Sequence, residues 1–322
     1  MSLLRISLGL AFLLPSTMAF AQGDLGVLID PQPEKAAIRL QQDLHVFSTE
    51  DIKDTGESLG LTEYELDLRV PVWHAEGQVL FAGASVYGLD LDTDGLLAPG
   101  IALPSDLYDV SAGLGYLREL DRGWTVAGTL RVGSASDELF DSSDEIYLQG
   151  TGLLRIPDGR NAWILAFHAD TRHDWPVYPG VGYQWQFESG RYLVLGLPFL
   201  VAGGPITDRL RFETSYFPID NVRAALRYEA TENITPYLTF AWNSHYFVRA
   251  GRDDDDDRLE FEDKRIAAGV AFDLGEHVRF DIEAGYAFDR WFGEGDDRSD
   301  RDDDSIDLDD AGYLGGSLRL AF

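Results

Sequence analysis

The chain has 322 residues, 26 basic against 56 acidic for a net charge of −30, and no cysteine. Such acidity argues against nucleic acid, whose phosphates need a basic footprint, and the missing thiols remove disulfides, thiolate metal sites, thiol nucleophiles and a lipoprotein anchor together. An aromatic content of 12% with 33 glycines suits strands, tight turns and interfacial girdles rather than a helical bundle.

Met1–Ala21 carries one basic residue (Arg5), an apolar run from Ile6 to Leu14, a breaking Pro15 and a small-x-small site at Ala19-Phe20-Ala21. That is the make-up of a cleaved secretory signal, too short and wrongly flanked to be an anchor helix. Residues 22–34 read as a flexible lead, and 35–322 as one domain. No later apolar run approaches the roughly 18 residues a membrane helix needs. Membrane strands stay open, because their signal is far weaker.

Alternating segments follow to the end of the chain. Tyr64, Leu66, Leu68, Val70 and Val72 share a face, opposite Glu63, Glu65, Asp67 and Arg69. The same period of two recurs at Tyr108–Tyr116, Trp124–Val132, Ile146–Ile156, Trp163–Phe167 and Val181–Phe187, and most cleanly at Leu210–Tyr216, Val222–Tyr228, Ile266–Phe272 and Val278–Phe288. One greasy face means strands between two unlike environments. Period alone would also suit a soluble sandwich. The connections decide: short turns at Leu120–Gly123, Pro157–Arg160, Glu188–Arg191 and Leu274–His277 alternate with longer polar loops near 49–60, 90–105, 134–144, 250–262 and 292–310. Short turns on one side and long loops on the other mark a transmembrane antiparallel β-barrel. If Leu193–Pro198 and Phe199–Gly203 form a bent pair the count is about 16, and if neither spans it is about 14. We take 14.

The last strand, Tyr313–Phe322, puts Leu314, Gly316, Leu318, Leu320 and Phe322 on one face and stops on an aromatic. Together with the export signal it resembles the outer-membrane β-barrels of Gram-negative bacteria. The resemblance implies both termini in the periplasm, the acidic loops outside beside lipopolysaccharide and outer-membrane lipid, and insertion by the barrel-assembly machinery through Phe322. Gly196-Leu-Pro198, Pro205–Leu210 and Tyr216-Phe-Pro218 also resemble a porin-like family of bacterial outer-membrane barrels of unknown function. That likeness brings neither catalytic residues nor a ligand.

Strand parity directs Arg209, Arg211, Arg223, Arg227, Arg265, Arg279 and Arg319 inward on the C-terminal strands, interleaved with Glu213, Glu229, Asp281 and Glu283. Glu63, Glu65 and Asp67 point inward on an early one. An arginine wall facing carboxylates across water would orient dipolar solutes, as in a passive porin-like channel for small hydrophilic solutes. The same residues could instead pair across strands and close the lumen. The acidic loops hold eight acids against two arginines over 251–263, and ten against two over 293–310. They read as solvated charge runs, as adaptation to salt, or as Ca²⁺ or Mg²⁺ sites. Asp90-Leu-Asp92-Thr-Asp94-Gly95 reproduces the first half of a calcium loop, but Ile101 stands where the bidentate glutamate belongs. Its alternative is a plain turn.

Catalysis is thinly supported. His168, Asp170, His173 and Asp174 cluster near a strand end and Ser244-His245 lies on another, yet neither G-x-S-x-G nor a histidine-serine-asparagine signature occurs. The sequence reading is a non-enzymatic outer-membrane barrel, first a passive channel. The alternative is a non-conducting structural or surface-interaction barrel, with a lipid hydrolase a distant third.

Overall fold

The computed structural model describes residues 37–98, 101–217, 221–252, 254–303 and 305–322. The signal segment, the lead, Pro218 and Asp253 lie outside the described residues. Eight strands make the first half of an antiparallel barrel: β1 (Arg39–Phe47), β2 (Ser58–Ala75), β3 (Gln78–Thr93), β4 (Asp106–Glu119), β5 (Thr125–Ser136), β6 (Ile146–Asp158), β7 (Asn161–Asp170) and β8 (Val177–Gln186). Eight more complete it: β9 (Tyr192–Leu197), β10 (Leu200–Pro205), β11 (Leu210–Phe217), β12 (Asn221–Tyr228), β13 (Ile234–Phe247), β14 (Arg258–Asp273), β15 (Val278–Gly295) and β16 (Ala311–Ala321). Each pairs with its sequence neighbours, and β1 closes the ring on β16, Arg39 opposite Ala321 and Phe47 opposite Tyr313. Ile38 and Phe322 exchange backbone hydrogen bonds at 3.0 Å beyond that seam. Both meet at one end of the barrel, the near end.

A closed ring leaves no unpaired edge, the condition for strands in hydrocarbon. Leu66, Leu68, Leu114, Leu130, Trp163 and Leu165 stand on the outside, 39–56% exposed, while Asp43, Glu63, Glu65, Asp67 and Asp281 are buried within. Apolar outside and charged inside inverts the order of a soluble protein, as a transmembrane barrel requires.

The strand count is sixteen rather than fourteen, because Leu193–Gly203 does form the bent pair. β9 and β10 pair with each other and with β8 and β11. Each is six residues long, short of the roughly nine to eleven a spanning strand uses. Both of their faces are apolar, so the run reads as continuous rather than alternating.

Wall height is uneven. β2, β3, β14 and β15 run 16–18 residues, whereas β9 to β12 run six to eight. At the far end β5 and β13, on opposite sides of the ring, come together. Ser136 and Val248 form a parallel bridge there, the Val248 amide donating to the Ala135 carbonyl at 2.8 Å and the Ala250 amide to Asp137 Oδ1 at 2.7 Å. This bridge closes β13–β16 and β1–β5 into a narrower, nine-stranded ring above the sixteen-stranded one.

A dry apolar core fills the narrow ring. Leu89, Leu107, Leu259, Phe261 and Phe292 have no exposed surface, and Phe261 stacks on Phe292 at 4.6 Å. Leu97, within a small hairpin of Leu96–Ala98 with Ile101–Ala102, and Leu103 just after it join the core, as does Ile52 of the loop after β1. β15 reaches this core through a bulge: its register with β14 slips between Glu262 and Lys264, beside Asp289 at φ 48°. Before the slip the odd-numbered Arg279, Asp281 and Glu283 face inward; beyond it Arg290 and Phe292 are the buried ones.

Candidate functional site

The lumen is the site the fold builds, and it has three parts: a charged zone toward the near end, the apolar core above it, and an apolar patch on the low wall. The charged zone is knit by ion pairs. Arg265 on β14 reaches across to Glu63 on β2, its Nη1 donating to Oε1 at 3.1 Å, and its Nε donates to Asp263 Oδ2 at 2.6 Å. His45 lies between Glu63 at 3.4 Å and Glu283 at 3.3 Å, and the Tyr237 and Tyr313 hydroxyls donate to the same Glu283. Arg227 pairs with Glu213 at 2.8 Å, while Arg279 and Arg319 share Asp281 at 3.7 and 3.8 Å. Arg211 sits opposite Arg227 in the register, and Arg223 opposite Ser215, on the same inward face.

Glu65 and Asp67 are buried beside Glu63. So Arg227, Arg265, Arg279 and Arg319 of the parity-read wall meet the carboxylates Glu213, Glu63 and Asp281. A buried charge is tolerated where a partner offsets the loss of water.

Two residues of the predicted wall lie elsewhere. Arg209 is exposed in the turn between β10 and β11, and Glu229, its backbone partner, is half-buried in the turn after β12. Both strands end one residue too early for alternation to govern them.

The narrow ring carries contacts across its bore. Tyr87 on β3 stacks on His245 of β13 at 4.2 Å, and His245 lies against Phe261 at 6.4 Å. Ser244 and His245 cannot act together, since consecutive strand residues face opposite ways: Ser244 Oγ donates to Glu262 at 3.3 Å instead. This apolar core was missed in the sequence, although a signal for it exists. On β2, Leu59 and Leu61 precede Glu63, Glu65 and Asp67 on one face, so the lining changes character partway along the strand.

Asp90 and Asp92 lie on β3, where Leu89 and Leu91 take the inward face and the aspartates are exposed. A strand holds such carboxylates roughly 6.6 Å apart, whereas a calcium loop must curl round its ion. Asp94 follows, exposed, just past the strand. Among the described residues, two other groups bring ligand atoms within 4.8 Å of one another: His168, Asp170 and His173, and Asp296, Asp297 and Asp300. In the first, Asp170 already accepts from Arg172 and Gln149 at 2.7 and 2.8 Å.

The last loop is ordered by its two arginines. Helix α1 (Arg298–Asp303) lays Arg298 on Glu262 at 2.9 Å and Arg301 on Glu260 at 2.8 Å. Burial pulls the Arg298 guanidinium down, but its Glu262 hydrogen bond and the Glu260 charge outweigh that and raise it.

No family model and no curated protein matches the chain. Among solved structures it is similar to an outer membrane channel from Pseudomonas putida F1, at 10% identity over 91% of this chain and 100% of that one, with a TM-score of 0.41. It is similar to the Pseudomonas putida toluene transporter TodX, at 10% identity over 93% of each chain with a TM-score of 0.42. The transport unit of the autotransporter AIDA-I from Escherichia coli is a third, at 14% identity over 91% of this chain and 93% of that one, with a TM-score of 0.34. By its own closed register and outward apolar band, the chain is an antiparallel β-barrel of sixteen strands, built as barrels that cross membranes are.

Proposed function

We propose that the protein resides in the outer membrane of a Gram-negative bacterium, far end outward, as a barrel whose bore is shut to small hydrophilic solutes in the conformation described. The observation that carries this reading is the Ser136–Val248 bridge over a dry core. Wetting that core exposes side chains such as Phe261, Phe292 and Leu259, each worth about 1.5–3 kcal/mol when buried. Several such terms together hold the open state at a small population. Beneath the core the arginines and carboxylates pair with one another, which supports the closed-barrel alternative over the passive channel. The reading includes no catalysis, and it leaves the acidic outer loops as the surface that meets lipopolysaccharide and its counter-ions.

Planar-bilayer recording of the purified protein tests this. The wild type should show no steady conductance, and Phe261→Ala with Phe292→Ala should show openings, since each truncation costs about 3–5 kcal/mol of core packing. A wild-type barrel with steady, ohmic conductance would return the lumen to the passive-channel reading.

A further inference from the structure

The low wall has an apolar inner face. Ala162, Ile164, Val194, Phe199 and Val201 are buried there on β7, the β9–β10 pair and the link between them, with Leu153 and Phe217 packed against them. Their strand neighbours Trp163, Leu165, Leu195 and Leu197 are 43–76% exposed on the outside. This stretch of wall is therefore apolar outside and largely apolar inside, with Gln184 of β8, held by Arg155 at 3.2 Å, and Ser215 as neutral polar members of the inner row, unlike the opposite wall, where the carboxylates Glu63, Glu65 and Asp67 face the lumen.

The wall is also cut down within the membrane band. Leu197, the last residue of β9, pairs with Val181, and β8 continues four residues further, to Val177. On the other flank β12 begins at Asn221, opposite Asn243, while β13 continues four residues, to Phe247. Each step is roughly 13 Å along the strand. Val177 and Trp175, beyond the step, are 58% and 74% exposed, so the outer surface is still apolar above the lowered rim. The rim is continuous with the outward apolar band, the surface that a membrane barrel turns toward hydrocarbon.

One ring of the chain itself shows what fits behind that rim. Phe199, from the two-residue link between β9 and β10, turns inward, is 5% exposed, and stacks with Phe217 at 6.0 Å. It lies over Gly180, Gly182 and Gly196, where an added Cβ would come within 3.0, 3.0 and 2.8 Å of the ring. Above, the turn 171–176 reaches over to the narrow ring, His173 against Tyr246 at 4.9 Å and Asp174 on Arg301 at 3.1 Å.

We propose that the low wall at β9 and β10 is a side entrance, through which a small planar apolar molecule dissolved in the bilayer reaches the apolar lumen wall by displacing the Phe199 ring. It rests on the reading of a membrane barrel shut to water, and supplies that barrel with a route that avoids the shut bore.

A trifluoromethyl-phenyl diazirine, itself a small planar apolar molecule that partitions into bilayers, tests the entrance by photolabelling in proteoliposomes. Label mapped by mass spectrometry should appear on the inward Ile164, Val194 and Val201 as well as on outward Leu165 and Leu195. It should fall with excess naphthalene at the inward positions only. Phe199→Ala should raise inward labelling several-fold, Phe199→Leu serving if the alanine variant does not fold, and Gly182→Leu should suppress it. Val79 and Phe81, inward under the tall wall on β3, should stay unlabelled. Inward labelling no greater than at Val79, in wild type and in a folded Phe199 variant, overturns the proposal. Bilayer conductance is read separately, so a conducting wild type would defeat the shut bore without deciding this result.

Discussion

Asp174, in the turn after β7, and Arg301, in helix α1 after β15, meet at 3.1 Å across the top of the low wall. Arg301 is 1% exposed and also holds the fully buried Glu260 at 2.8 Å. The two ends of this contact are unequal. Arg301→Ala leaves the buried Glu260 with the longer, 3.4 Å ion pair to Arg298 and should cost up to about 3–5 kcal/mol. Asp174→Asn removes only a partly exposed partner, worth about 0–1 kcal/mol. Protease nicking of the 171–176 turn should therefore be far faster in Arg301→Ala than in Asp174→Asn, and equal rates would show the buried pair to be unimportant.

Topology is checked by labelling single cysteines in a chain that has none of its own. Asp255→Cys and Asp297→Cys, in the exposed outer loops, should react with an impermeant maleimide on intact cells. Glu188→Cys and Asp208→Cys, in near-end turns, should react only after the outer membrane is breached. The opposite pattern inverts the barrel.

Phe322 is tied to Ile38 by backbone hydrogen bonds at 3.0 Å, and its ring lies 5.8 Å from that of His277. Phe322→Ala should lower the yield of inserted barrel more than Phe280→Ala does. Lost burial, about 1.5–3 kcal/mol for either ring, cannot distinguish them; only an assembly role can. Equal membrane yields would end that claim.

The arginine wall is testable once the bore is open. In the Phe261→Ala, Phe292→Ala background, adding Arg211→Glu and Arg227→Glu should shift reversal potentials toward cation selectivity. An unchanged reversal potential would place the ion path away from β11 and β12.

Acid should tighten the loop before β14. Burial first, then the Glu294 carboxylate, push the Asp257 carboxyl above the usual range. An acid whose pKa rises on folding costs stability while ionised, so the folded loop gains as pH falls through that raised value, and the gain is complete below the unfolded value of about 3.9. Protection of residues 250–257 from protease should grow from neutral toward mildly acidic pH, and Asp257→Asn should flatten the dependence. A steeper dependence in Asp257→Asn would assign it to another group.

What could be read from the sequence was whatever alternation controls. Glu63, Glu65 and Asp67 lie inward because β2 runs unbroken past them, and Leu66 and Leu68 lie outward for the same reason. Alternation fails where both faces are alike, which is why Leu193–Gly203 left the strand count open. It fails again at strand ends, which is why Arg209 drops out of the wall. It is also silent on which strands approach across the bore. Nothing local to Ser136 or Val248 announces their bridge, and the change from leucine to glutamate along β2 was the available hint. Asp90-Leu-Asp-Thr-Asp94 shows the converse: spacing alone does not tell strand from loop, and β3 carries Asp90 and Asp92 while Asp94 lies just past it.

The dry core draws on both ends of the chain. Phe47 and Leu59 come from the first strands, and Phe261, Phe292 and Tyr313 from the last. The narrow ring that encloses them includes the β16–β1 seam, so it cannot close before that seam does. Sealing is thus the final event of assembly: a nascent barrel has an unstoppered interior until its terminal strands find each other, and cysteines placed at Ser136 and Val248, which pair across the bore, should cross-link only in fully inserted protein.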